Sequence, residues 1–227
     1  MAISLEELGR NVKLAARELA QAPNEQRSRV LRRVAELLGE RHDDILAVNA
    51  DDLARYQDEG AGRDRLTLTE ARIAGMASAL RDIADSADPL YESVDASTRP
   101  NGLRIERLRV PLGVIGVVYE NRPNVTSDVA GLCVKSGNAA FLRGSASALT
   151  SNRYLVGLWH EALAESGLPT AAVSLVDDPT HDTAVAFMQM TDVLDCLIPR
   201  GGPSLIAAMR EHARVPYVLD GDGNCHV

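Results

Sequence analysis

From Val114 onward the chain alternates short apolar runs with helical segments, and this rhythm confines it to an α/β fold. "VIGVVY" is a continuous, β-branched run of the kind that forms a strand buried on both faces. "AAFLR", "AVSLV", "VLDCLI" and "VPYVL" follow as further strands. Between them lie helical stretches with apolar residues at helical spacing, such as Leu155, Leu158, Trp159, Ala162 and Leu163. Gly167 and Pro169 stop that helix, and Pro203 stands near the first turn of the last one, where no N–H is missed. Five strands alternating with helices imply a mostly parallel, doubly wound sheet.

The first 88 residues read differently. "RVLRRVAELLGE" and "LTLTEARIAGMASALRDIAD" carry their apolar residues at 3.6-residue spacing, as amphipathic helices do. Ser4 with Glu7, and Thr67 with Glu70, match capping boxes. The expected organisation is a helical region over 1–88, a proline- and glycine-marked connector with an exposed strand over 89–112, and an α/β unit over 113–227.

Composition narrows the function classes. The net charge of −8 argues against a nucleic-acid backbone as partner. Arginine outnumbers lysine 22 to 2, a coding bias with no functional reading. Three cysteines without a framework spacing fit a reducing, cytoplasmic compartment. No signal-peptide run and no apolar stretch of about 18 residues is present.

In such sheets ligands gather beyond the carboxyl ends of the strands. The strand-end segments are "ENRPN", "RGSAS", "DDPTH", "PRGGPS" and "DGDGN". In "PRGGPSLI" two glycines lead into a helix, so Gly201 and Gly202 suit the close approach of a pyrophosphate, or form a plain tight turn. Arg143 and Ser145 suit a phosphate monoester such as that on the 2′-position of NADPH, or are a surface arginine and a helix cap. No G-x-G-x-x-G fingerprint occurs. "DGDGN" opens like a calcium loop, but its sixth position is Cys225 and not glycine, so no metal site is expected. Cys225 and His226 are adjacent and point apart in an extended segment, so they make a poor nucleophile–base pair. Cys133 and Cys196 sit inside apolar runs and are read as core. Asn124 is a candidate N-cap.

"VPLGVIGVVYENRPNVTSDVAGLCVKSGNAAFLRG", "LIPRGGPSLI" and the terminal "GNCHV", with "NADDLAR" and "DRLTLTEARI" earlier, resemble the gamma-glutamyl phosphate reductases of proline biosynthesis. That family lies within the aldehyde dehydrogenase superfamily, whose cofactor domain is a Rossmann variant without the usual glycine fingerprint. The resemblance covers nearly the whole chain. It implies an oxidoreductase in which a cysteine thiolate expels phosphate from γ-glutamyl 5-phosphate and NADPH delivers hydride to the thioester. It implies that Arg143 and Ser145 hold the adenosine end of NADP(H) and that Gly201 and Gly202 form the pyrophosphate turn. Arg122 and Asn124 fall where relatives hold a substrate group or an oxyanion. Asp220 stands where many relatives carry a glutamate that serves thioester hydrolysis, a base that a phosphate-releasing reductase does not need.

The family's nucleophilic cysteine lies downstream of the position of Val227, so no catalytic residue is expected here. The catalytic domain is expected to be absent, the chain alone inactive, and the full-length enzyme a cytoplasmic homo-oligomer that partners glutamate 5-kinase. The competing expectation is a structural or interaction module with no ligand competence.

Overall fold

The computed structural model describes residues 3–219. Five helices come first: α1 (Leu5–Leu19), α2 (Asn24–Glu40), α3 (His42–Arg55), α4 (Ala61–Leu66) and α5 (Glu70–Asp85). Ser4 caps α1, its hydroxyl accepting the Glu7 N–H at 3.2 Å as the sequence pattern predicts. The cap of α5 is Thr69, not Thr67. Thr67 instead donates its hydroxyl to the Arg63 carbonyl at 2.8 Å, closing the short α4.

Two strands follow, β1 (Ser93–Thr98) and β2 (Arg104–Leu108), paired antiparallel with every residue exposed. The segment read as a connector with one exposed strand is therefore a hairpin, its first strand lying wholly exposed in the stretch read as connector.

The remaining elements are β3 (Val114–Tyr119), α6 (Pro123–Lys135), β4 (Ala139–Arg143), α7 (Leu149–Glu165), β5 (Val173–Leu175), α8 (His181–Met188), β6 (Cys196–Arg200) and α9 (Pro203–His212). Among the described residues the main sheet has four parallel strands in the order β5-β4-β3-β6. The expected fifth strand, "VPYVL", contributes a single parallel bridge, Leu197 to Tyr217, beside β6.

All six residues of β3 are buried. Ile115, Val117 and Tyr119 face a core built with α2, α5, α6 and α7, while Val114 and Val118 face a second core with α1, α8 and α9. Each large apolar side chain buried this way contributes about 1.5–3 kcal/mol. The helices of the first 88 residues thus complete the sheet's own cores. Polar ties fasten them: the buried Asp52 accepts the Ser151 N–H at 2.8 Å and hydroxyl at 2.7 Å at the start of α7, and the buried Lys135 donates to Ser28 Oγ at 3.0 Å and the Ala84 carbonyl at 2.8 Å.

Candidate active-site rim

The chain winds from β3 to β4 and β5 on one side, then returns to place β6 on the other side of β3. The sheet therefore changes direction between β3 and β6, the kind of switch point beyond whose strand ends ligands gather in open α/β sheets. The register pairs Val118 with both Arg143 and Pro199. Arg143 and Pro199 stand level on either side of the central strand, two strand spacings or about 10 Å apart. Arg143 and Gly201 consequently share one rim, a span that one dinucleotide can cover.

At this switch point, Gly202 is the N-cap of α9 and Pro203 its first residue. The Gly202 N–H donates to Glu120 Oε2 at 3.0 Å. A Cβ on Gly201 would lie 2.6 Å from Glu120 Cδ and 2.7 Å from Leu205 Cδ2, so the glycine is needed for the carboxylate's close approach. Glu120 went unassigned in the sequence. Its signal is a carboxylate directly after β3, opposite a Gly-Gly helix start on the parallel neighbour.

Arg143 and Ser145 engage different neighbours. Arg143 Nη2 donates to the Pro179 and Thr180 carbonyls at 2.7 and 3.0 Å, its buried Nε has no hydrogen-bond partner, and burial depresses its pKa. Ser145 donates to Asn121 Oδ1 at 2.8 Å, and Asn121 Nδ2 donates to the Tyr56 hydroxyl at 2.9 Å. Asn121 and Tyr56 form a polar bridge from the rim to the end of α3 that the sequence reading missed. Gly144 between them must be glycine, because the Tyr119 ring and the Asn152 amide pack against its backbone.

Arg122 and Asn124 line a cleft of about 380 Å³ between the start of α6 and the α4–α5 junction. Pro123 opens α6, with Arg122 and not Asn124 in the N-cap position. Asn124 instead donates to Asp128 Oδ2 at 3.0 Å. Arg122 is half-buried. Burial first, then the Arg65 and Arg200 guanidinium groups, lower its pKa, with Glu120 acting the other way. Burial raises the Asp128 carboxyl above the usual carboxylate range.

The aldehyde dehydrogenase family model matches residues 4–207. The chain belongs to the aldehyde dehydrogenase family. Within that family it is 46% identical over 226 residues to the gamma-glutamyl phosphate reductase of Syntrophomonas wolfei, covering 98% of this chain and 54% of that one. The gamma-glutamyl phosphate reductase structure from Thermotoga maritima superposes with a TM-score of 0.95 at 36% identity, covering 99% of this chain and 55% of that one. The structure of the Saccharomyces cerevisiae protein of the same name gives 0.88 at 25% identity, covering 98% and 57%. The chain spans about half the length of the relatives it matches.

Cys133 and Cys196 are both buried. Burial pushes the Cys133 thiol up to about 12 and raises that of Cys196 as well. Neither supplies thiolate at neutral pH. Cys225, His226 and Asp220 lie outside the described residues. His160, without a named partner in the sequence, bonds through Nε2 to the Val173 carbonyl at 2.8 Å, and His181 faces His212 with ring centroids 6.2 Å apart. Among the described residues no cluster of metal-ligating side chains occurs, and no helix is long and apolar enough to cross a membrane.

Proposed function

We propose that this chain is the dinucleotide-binding part of an NADPH-dependent gamma-glutamyl phosphate reductase, the full enzyme releasing phosphate and glutamate 5-semialdehyde. The observation that carries the reading is the 46% identity spread over 98% of the chain. When bound, NADPH supplies the hydride that reduces the acyl group.

The residues present suit that cofactor. The helix start at Gly202 already attracts an anion, the Glu120 carboxylate. Arg143 presents a guanidinium with an unpartnered Nε at the end of β4. The loop beyond β4 reads Gly144, Ser145, Ala146, without the acid that would favour an unphosphorylated ribose. In this reading the Gly201–Gly202 turn receives the pyrophosphate, Arg143 and Ser145 hold the phosphorylated adenosine end, and Arg122 and Asn124 hold substrate. The buried Cys133 and Cys196 are not the nucleophile; we place it in sequence matching the relatives' second half and assign no turnover to these 227 residues alone. The reading carries a cytoplasmic setting with it.

Titration of the chain with NADPH, followed by nicotinamide fluorescence, tests this. Arg143→Ala is expected to weaken binding about tenfold, with a smaller loss for Ser145→Ala. Binding that both variants leave unchanged would overturn the assignment.

A second reading, a structural module without ligand competence, is favoured by one specific observation. The groups assigned to phosphate already have protein partners: the Gly202 N–H has Glu120, and Arg143 Nη2 has two carbonyls. NADPH binding at any affinity sensitive to Arg143 decides against it.

A further inference from the structure

The cleft beside α6 holds opposite charges that do not satisfy each other. Arg122 makes no hydrogen bond or ion pair among the described residues, although it is half-buried and lies in the field of Arg65 and Arg200. Arg72 is committed elsewhere, to Asp64 Oδ1 at 2.9 Å and the Thr67 carbonyl at 2.7 Å. Like-charged guanidinium groups held together repel, and an anion seated among them relieves that repulsion. The positive N-terminal end of α6 adds to the attraction.

Asp128, six residues further along α6, is the complementary case. Its carboxylate is partly removed from water and accepts one amide hydrogen bond, from Asn124. No cation lies within ion-pair distance among the described residues. Six residues of helix span about 9 Å, and no salt bridge joins Arg122 to Asp128 although both line the cleft. Met76 and Leu68 line the same cleft and offer apolar surface. A ligand that fits carries an anion and a cation on neighbouring atoms, with a short methylene chain attached.

We propose that this cleft recognises the α-carboxylate and α-ammonium of an amino acid, the carboxylate on Arg122 and Arg65 and the ammonium on Asp128, with Asn124 holding Asp128 in place. The inference rests on the reductase reading for the choice of glutamate as side chain and for nothing else. It makes Arg122 and Asp128 the residues that distinguish an amino-acid substrate from a simple dicarboxylate.

The test is calorimetric titration of the 227-residue chain with L-glutamate, with glutarate, which lacks the ammonium, with 4-aminobutyrate, which lacks the α-carboxylate, and with inorganic phosphate. L-Glutamate is expected to bind about tenfold more tightly than either analogue. Asp128→Asn, an isostere that retains an acceptor for Asn124, is expected to bind L-glutamate no better than glutarate. Arg122→Ala is expected to bind L-glutamate no better than 4-aminobutyrate. Glutarate binding as well as L-glutamate to the wild-type chain, phosphate binding more tightly than L-glutamate, or no L-glutamate binding at about 50 mM would each overturn the proposal. NADPH titrations run in parallel separate the two readings. Glutamate selectivity without NADPH binding ends the reductase reading and leaves this site, whereas NADPH binding without glutamate selectivity does the reverse.

Discussion

Glu120 and Gly202, from loops following two adjacent parallel strands, are joined by a 3.0 Å hydrogen bond from the glycine N–H to the carboxylate. The helix start best suited to a phosphate is thus covered by an anion of the protein's own. A pyrophosphate arriving there meets like charge at short range, worth about 1–4 kcal/mol at 4 Å depending on how much water screens it.

Glu120→Gln keeps an acceptor for the Gly202 N–H and removes the charge. NADPH is expected to bind this variant about fivefold more tightly than the wild type, read by fluorescence titration. Equal or weaker binding would show that Glu120 does not compete for the site.

Gly144→Ala drives a methyl group into the Tyr119 ring and the Asn152 amide, both buried. Overpacking of this kind costs about 1–3 kcal/mol. Urea denaturation is expected to show that loss; a midpoint unchanged from wild type would mean that the strand end relaxes freely.

Asp128→Asn is expected to raise the melting temperature at pH 7. Burial raises the Asp128 carboxyl in the folded state, so the folded chain holds that proton more tightly than the unfolded one. Stability therefore falls as pH rises from the ordinary aspartate value, about 3.9, through the raised folded value, and the deficit persists at neutral pH. The variant lacks the deficit, so its advantage should shrink below pH about 4. Calorimetric scans at both pH values check the sign, and a variant less stable at pH 7 would refute it.

Asp52→Ala leaves the Ser151 N–H and hydroxyl without their acceptor and removes a carboxylate from the positive end of α7. The expected loss is about 2–4 kcal/mol in urea denaturation. Arg55→Ala, on the exposed side of the same ion pair, should cost under about 1 kcal/mol. Equal losses would show that the ion pair, not the helix capping, carries the energy.

The sequence made the main sheet readable because "VIGVVY" is a short, continuous, β-branched apolar run, and all six of its residues are buried. Pro203 likewise marked the start of α9. Other features needed three dimensions. Thr67 and Thr69 both precede the α5 pattern, and only the six-residue α4, too short to show a period, decides which hydroxyl caps. β1 pairs through its backbone with every side chain exposed, so no burial pattern announces it. At the rim, the segment "ENRPN" could be picked out by its place after a strand, and the resemblance to the reductases singled out Arg122 and Asn124 within it. Glu120 could not, because its role depends on β6 lying beside β3. Asp128 was missed because it lies one helical turn beyond Asn124, inside what reads as an ordinary helix.

The Lys135 ammonium donates to Ser28 Oγ and to the Ala84 carbonyl, both in the first 88 residues. Trimming the chain to begin at the sheet would strand that cation among apolar side chains. The minimal autonomous folding unit therefore reaches back at least to α2, and a scaffold engineer wishing to borrow the rim must take the N-terminal helices with it.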